Sequence, residues 1–176
     1  MRKLLWVMVA ALLSISAFAG DNSEKATAFK AEFIVDLLEN VEWTESNAAA
    51  GAGQVSIYVV GDCPVNEKLR ELAAAESKDG KSVEVTVVSS ADEIEDADIV
   101  FVATGDLDVL AKVLKKIKGK SVLTVADAKD FARYGVMINF FEEEGSSEVK
   151  YEVNTLVLDS VGVKLSSKLM KKASLI

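Results

Sequence analysis

The sequence predicts one α/β domain built on a mixed, mostly parallel sheet of about six strands, with helices on both faces and a C-terminal antiparallel hairpin. Three observations support this prediction. Apolar strand-like segments alternate with helix-like segments four times along the chain. Residues 119–141 place two apolar strands on either side of one short helix. Residues 149–153 then alternate apolar and polar side chains, which is typical of a half-exposed antiparallel strand.

Residues 1–19 have the features of a cleavable signal peptide. Arg2 and Lys3 form a positively charged start, residues 4–15 are mostly apolar, and residues 17–19 form an A-x-A cleavage site. The apolar segment is too short to favour a permanent membrane anchor, which is the alternative interpretation. We therefore expect cleavage after Ala19 and export to the periplasm of a mature domain, residues 20–176.

Composition limits the classes of function. Removal of the leader takes 19 of 176 residues and leaves 157, enough for a single domain with its own core. It also removes two positive charges, so the formal net charge changes from −8 to −10, and such a surface repels nucleic acid and anionic lipid. The chain has no histidine, the commonest general base and metal ligand at neutral pH. We expect no nucleic-acid partner, no metal, no cofactor and no enzyme activity.

The mature chain opens with a predicted helix. Asp21, with Glu24 three residues later, is expected to cap it, and the apolar positions recur at helical spacing up to Val41. Trp43 is expected to end the helix, and residues 46–53, which are small, are expected to form a loop. The apolar face of this helix is predicted to be core.

Three strands are predicted next, with helices between them. Residues 55–60 form the first, residues 83–88 alternate at first and so lie near the sheet edge, and residues 99–103 are continuously apolar and so central. Pro64 suits the first position of the helix that follows the first strand. A further helix starts near Leu107 and is closed by Gly119, after which residues 122–125 form the next strand.

The C-terminal third completes the predicted sheet. Asp127 is expected to cap a helical turn with Asp130 three residues later, and residues 136–141 form a strand in which Asn139 is expected to be a satisfied polar group. Residues 142–147 connect the hairpin. A short helix over residues 155–159 then leads to an amphipathic segment, residues 165–175, in which Ser166 caps a helix.

One turn is a candidate ligand site. Gly61, Asp62, Cys63 and Pro64 follow the first strand, at the carboxyl end where ligands enter open α/β sheets. The turn has neither the G-x-G-x-x-G spacing nor the lysine of a phosphate-binding loop, so a tight structural turn is favoured. The helix amides could still accept an anion. Cys63 is the only cysteine, which rules out an intrachain disulfide and leaves a packed side chain or an intermolecular disulfide.

Two acidic runs, residues 92–98 and 142–144, could suggest cation binding. They lack the alternating oxygen-ligand spacing of a calcium loop. Solvated turns are therefore the favoured interpretation.

The chain resembles the YfiR-like family of bacterial periplasmic proteins from about residue 25 to the C-terminus. The resembling segments, in order, are KAEFIVDLLENVEW, VVGDCP, ADIVFVA, GKSVLTVADAKDFARYGVMINF, VKYEVN and VGVKLSSKLMKKASLI. The resemblance implies a compact α/β domain without established catalytic residues. It also implies a repressor that contacts the periplasmic part of a membrane-bound diguanylate cyclase and so limits cyclic-di-GMP and biofilm formation. Some family members have a redox-responsive pair of cysteines. This chain has one cysteine, so it cannot form the corresponding intrachain disulfide.

Three hypotheses of function follow. The first is a periplasmic regulatory protein that restrains a membrane diguanylate cyclase or sensor kinase through the turn at residues 61–64 and through Lys168, Lys171 and Lys172, with a homodimer as a further option. The second is a small-ligand-binding module that feeds a sensor kinase and uses the crevice beside Gly61. The third is a hydrolase with carboxylate or lysine chemistry.

Overall fold

A computed structural model describes residues 16–43, 53–77, 82–143 and 146–176. Three sequence-based predictions lie wholly or largely outside the described residues: the leader before residue 16, the loop at 46–53, and the centre of the hairpin connection at 144–145. Within the described part of the chain, no helix combines the length and the hydrophobicity needed to cross a membrane.

The described residues form five α-helices, nine strands and two short 3-10 helices. The helices are α1 (Ser16–Asn40), α2 (Val65–Glu76), α3 (Leu107–Lys116), α4 (Thr155–Ser160) and α5 (Ser167–Met170). The strands are β1 (Val41–Trp43), β2 (Gln54–Val60), β3 (Ser82–Val88), β4 (Ile99–Val102), β5 (Leu123–Ala126), β6 (Ile138–Glu142), β7 (Val149–Val153), β8 (Val163–Leu165) and β9 (Ser174–Leu175). The 3-10 helices are Ala91–Glu93 and Phe131–Tyr134.

Seven strands form one sheet in the order β3-β2-β4-β5-β6-β7-β9. The first five are parallel, β7 is antiparallel to β6, and β9 is parallel to β7. The predicted mixed, mostly parallel sheet with a C-terminal hairpin is confirmed, as are the edge position of β3 and the central position of β4. The sequence did not predict β9, nor the separate antiparallel pair of β1 and β8.

The sheet has an apolar layer on each face, which explains the long apolar runs of its central strands. On β4, Ile99 and Phe101 face the layer that contains the buried residues of α1 and α2, whereas Val100 and Val102 face the layer that contains those of α3. All four side chains are fully buried. A strand covered on both faces needs apolar side chains at every position, as the sequence has here.

Aromatic packing holds α1 on the sheet. The ring of Phe33 lies 5.2 Å from that of Phe140 on β6 and 4.4 Å from that of Tyr151 on β7. Such pairs contribute about 0.5–1.5 kcal/mol each beyond the area they bury. The hydroxyl of Tyr151 donates to the carbonyl oxygen of Leu169 at 2.7 Å, which also ties α5 to the sheet. Phe33 is therefore core, as predicted.

Several helix boundaries differ from the predictions. Helix α1 begins at Ser16, so Asp21 and Glu24 do not cap its start. Pro64 is the N-cap of α2, whose first helical residue is Val65. Asp127 opens no helix: a single 3-10 turn begins at Phe131, after Asp130 in the left-handed region at φ 65°.

The amphipathic C-terminal segment is divided into the end of β8, the helix α5 and the strand β9. The side chain of Ser166 accepts a hydrogen bond from the amide of Leu169, which confirms the predicted cap of this helix.

Gly61 supplies the first prediction, because it has φ +109° and a Cβ there would lie 3.1 Å from the carbonyl oxygen of Ala103. We expect Gly61→Ala to destabilise the fold by about 1–3 kcal/mol, since a non-glycine residue is strained in this conformation. Gly105→Ala is the matched control, because a Cβ there meets nothing within 4 Å; its cost should stay within about 0.5 kcal/mol. Urea unfolding measures both, and equal midpoints for the two variants would contradict the assigned role of Gly61.

Candidate functional site

The candidate site lies at the carboxyl edge of the parallel sheet. From β2 the chain proceeds to β3 on one side, and β4 lies on the other side of β2, so the strand order reverses between β2 and β4. Ligands of open α/β sheets enter at such a reversal. Here the close approach of Gly61 to the backbone of Ala103 closes that point. The open space lies instead toward β5 and β6.

Two adjoining cavities occupy this open space, and together we call them the carboxyl-edge cleft. The Asn139 cavity, of about 470 Å³, is lined by Asn139, Phe141, Val149 and Glu152 among others. The Cys63 cavity, of about 350 Å³, is lined by Thr27, Cys63, Pro64 and Val65 among others. Lys30, Asp127 and Glu142 line both. The cleft therefore extends from the turn after β2 to the strands β6 and β7.

An ion pair stands where the two cavities meet. The Nζ of Lys30 on α1 donates to Oδ2 of Asp127, directly after β5, at 3.0 Å. The two residues are 97 positions apart, and their side chains are 18% and 25% exposed. The pair explains why Asp127 caps no helix, since its carboxylate is turned toward α1.

Hydrogen bonds to Asn66 occupy several polar groups of the turn at residues 61–64. Asn66, which is buried, donates through Nδ2 to the carboxylate of Asp62 at 3.2 Å and to the carbonyl oxygen of Gly61 at 3.4 Å. The backbone N–H of Asn66 donates to the carbonyl oxygen of Cys63 at 3.1 Å. Because Asp62 also places a negative charge beside the start of α2, this turn is poorly suited to an anion.

Cys63 is a weak nucleophile in this setting. Its thiol donates to Oδ1 of Asn66 at 3.1 Å and the residue is half-buried. Burial raises the pKa of the thiol, and the nearby carboxylates of Asp127 and Asp62 raise it further. The thiol is therefore neutral at physiological pH, which agrees with the interpretation of Cys63 as a packed side chain.

The prediction that Asn139 is a satisfied polar group is wrong for one of its two polar atoms. Its Nδ2 donates to Oε1 of Glu152 at 3.1 Å, but its Oδ1 has no hydrogen-bond partner although the residue is only 1% exposed. The residues of the cleft that sequence reasoning missed are Lys30, Asp127, Asn139 and Glu152. The signal available for Asn139 was an amide side chain within an otherwise apolar strand.

The predicted lysine surface lies apart from this cleft. Lys168 on α5 is 3.5 Å from the carboxylate of Asp36, which is six residues beyond Lys30 on α1. Lys171 and Lys172 follow α5 and are exposed. The structure thus brings Cys63 and Pro64 to the lining of the cleft, leaves Gly61 and Asp62 outside that lining, and places the three lysines on a second surface.

The acidic run at residues 92–98 is only partly a solvated turn. Glu93 is exposed and accepts hydrogen bonds from Ser89 and Ser90, which lower the pKa of its carboxyl group. Asp98 is buried and accepts the amide hydrogen of Ser56 at 2.8 Å, and its burial raises the pKa of its carboxyl group. In the described ranges, no three or more cysteine or carboxylate side chains are placed to share a metal ion.

Comparison with protein families decides the classification. Residues 27–174 match the family DUF4154, described as YfiR/HmsC-like. The chain belongs to this family. The family consists of periplasmic regulators rather than enzymes, and it is associated with the regulation of cyclic-di-GMP signalling. No protein of curated function matches the sequence.

Two solved structures are similar to this YfiR/HmsC-like chain in backbone. One is a conserved domain protein from Vibrio cholerae O1 biovar El Tor strain N16961, 11% identical, with a TM-score of 0.50 over 85% of this chain and 59% of that one. The other is described as an ABC domain from Streptococcus pneumoniae in complex with L-Trp, 14% identical, with a TM-score of 0.49 over 69% of this chain and 54% of that one. The chain spans little more than half the length of either. At such identities the similarity concerns the fold alone.

The Lys30–Asp127 pair supplies the second prediction. We expect a double-mutant cycle with Lys30→Met and Asp127→Asn to give a coupling energy of about 1 kcal/mol, because both side chains are largely withdrawn from solvent. The control pair is Lys68–Glu71, also at 3.0 Å but 36% and 68% exposed. Its coupling should be below about 0.5 kcal/mol. Urea unfolding of the wild type and the six variants measures both energies, and equal couplings would contradict the structural role of the Lys30–Asp127 pair.

Proposed function

We propose that this protein is a periplasmic regulatory protein that binds the sensor region of an inner-membrane diguanylate cyclase and restrains its synthesis of cyclic-di-GMP. The family match over residues 27–174 is the observation that carries this proposal. The leader-like residues 1–19 and the acidic charge fit an exported protein. A membrane sensor kinase is the alternative partner.

The proposed mechanism is differential binding. The protein holds the inactive conformation of the partner and releases it when a periplasmic cue changes its own affinity. To move a partner from almost fully active to almost fully inactive, it must prefer the inactive state by about 5.5 kcal/mol. Such a preference needs an extended contact, and the exposed side chains of Asp62, Pro64, Lys171 and Lys172 are the candidate contacts.

A small-ligand-binding module that feeds a sensor kinase is the second candidate. The two adjoining cavities of the carboxyl-edge cleft favour it, since ligand sites are concave and combine apolar walls with a few polar groups. The cleft lies near the turn at Gly61 but is centred on the Lys30–Asp127 pair. The two candidates are compatible if the ligand is the cue.

The third prediction tests the proposed function in the native host. We expect deletion of the gene to raise cellular cyclic-di-GMP several-fold, and the full-length chain to restore it, because the cyclase loses its restraint. A chain without residues 2–19 is the matched control, and it should accumulate in the cytosol and fail to restore the level. Mass-spectrometric measurement of cyclic-di-GMP in the wild type and in these three strains checks the prediction. An unchanged level after deletion, or restoration by the leaderless chain, would contradict the proposal.

The fourth prediction concerns the lysine surface. We expect the double substitution Lys171→Glu and Lys172→Glu to abolish repression while leaving the melting temperature unchanged, because both side chains are exposed on a chain that is acidic overall. The double substitution Lys112→Glu and Lys115→Glu makes the same change of charge on α3, away from this surface, and should preserve repression. Complementation of the deletion strain measures the effect, and equal repression by the two variants would remove this surface from the interface.

A further inference from the structure

We propose that two copies of this protein pair through the outer edge of β3, so that their sheets continue into one another across a two-fold axis at Thr86. The proposal rests on the backbone of β3 and goes beyond the regulatory function proposed above. It holds whether the partner of the protein is a cyclase or a kinase.

Strand β3 is a long edge of the seven-stranded sheet. Among the described strands it pairs only with β2. It runs from Ser82 to Val88, carries a single charge at Glu84 and contains no proline. Long apolar edge strands pair readily with other strands, and natural proteins prevent this by shortening them or by placing lysine or proline in them. β3 has none of these protections.

The opposite edge of the sheet is protected. Strand β9 consists only of Ser174–Leu175, and Lys171 and Lys172 lie just before it. A short edge strand beside lysines resists pairing with a further strand. Of the two edges, β3 is therefore the one suited to accept another strand.

The hydrogen bonds between β2 and β3 show which residues of β3 face outward. The N–H of Ser82 donates to the carbonyl oxygen of Gly53, and the carbonyl oxygen of Val88 accepts the N–H of Gly61. Backbone groups of successive residues in a strand point to opposite sides, so the even-numbered residues of β3 bind β2. The residues that direct their N–H and C=O groups away from β2 are Val83, Val85 and Val87.

Two of these three residues have backbone groups without a partner. The N–H of Val83 donates to Oγ of Ser77 at 2.9 Å, which covers the start of the edge. The N–H and C=O groups of Val85 and Val87 make no hydrogen bond within the part of the chain that the structure describes. A strand that pairs with β3 must therefore reach these two valines.

An antiparallel second copy centred on Thr86 uses all of these groups. In this register Val85 of each copy lies opposite Val87 of the other, and the two residues exchange both of their hydrogen bonds. A register centred on Val85 would instead require the N–H of Val83, which Ser77 already accepts. The two-fold axis is therefore placed at Thr86.

The side chains of β3 agree with this register. Val85 and Val87 are half-buried against the core layer that contains α1 and α2, and pairing of β-branched side chains across the axis extends that layer. Glu84 lies opposite Val88 of the second copy, so no like charges meet although both chains are acidic. A second copy is therefore favoured over an unrelated segment, because β3 is complementary to itself.

Analytical ultracentrifugation of the protein purified from its native host tests this fifth prediction. We expect a dimer at micromolar concentration, and we expect Thr86→Glu to weaken association about tenfold or more, because two carboxylates then face each other at the axis. Ser82→Glu is the matched control, since it adds the same charge to the same face of β3 before the paired residues. It should leave the dimer unchanged.

Two results of this experiment would overturn the proposal. One is a wild type that stays monomeric, which is expected if β3 pairs only with a segment of a different protein. The other is equal association of the Thr86→Glu and Ser82→Glu variants.

Mixing two variants tests the position of the axis. Thr86→Lys alone should also be monomeric, whereas an equimolar mixture with Thr86→Glu should recover the dimer, since a carboxylate then faces an ammonium group. Melting temperatures establish that each variant is folded, and no recovery from folded variants would overturn the proposal. If the Thr86 variants do not fold, Val85→Pro decides, because it removes an outward N–H and leaves the bonds to β2 intact. Wild-type association of that variant would overturn the proposal.

Discussion

The packing of Phe33 against the aromatic rings of β6 and β7 holds α1 in place beside the carboxyl edge of the sheet. The ring of Phe33 packs against those of Phe140 and Tyr151, and these contacts fix α1 on the sheet. Lys30 lies one turn earlier on the same side of the helix and is thereby brought to Asp127 at the end of β5. The ion pair therefore depends on the position that the aromatic packing gives to α1.

The same helix links the two candidate surfaces. Lys30 contacts the cleft, and Asp36, about 9 Å further along the axis by helix geometry, pairs with Lys168 of the lysine surface. The C-terminal segment is held to the end of α1 as well, since Ser166 donates to Oδ1 of Asn40 at 2.8 Å and β8 pairs with β1. Occupation of the cleft and contact with a partner would therefore act on one packed unit, which is the physical requirement for coupling between two sites.

Local pattern predicted the sheet well because each central strand carries its own signal. The unbroken apolar run of β4 indicated burial on both faces, and the early alternation of β3 indicated an edge. The site could not be predicted in this way because its contacts join residues far apart in sequence. A capping role for Asp127 was a sound local interpretation, yet Lys30, 97 positions away, holds its carboxylate. Asn139 could be identified as polar, but only the structure reveals that one of its two polar atoms has no partner.

The motifs that carry the family resemblance are not for that reason the best functional candidates. In the VVGDCP segment, Gly61 is required by the close approach of Ala103, and Asp62 and Cys63 are held by Asn66. Folding alone accounts for these residues, so they need no ligand to explain them. Asn139 and Lys172 lie in two other motifs of the resemblance, but Asn139 lacks a hydrogen-bond partner for its oxygen, and Lys172 is exposed on the surface. Residues that break a folding rule, or that the fold does not use, are where function should be sought.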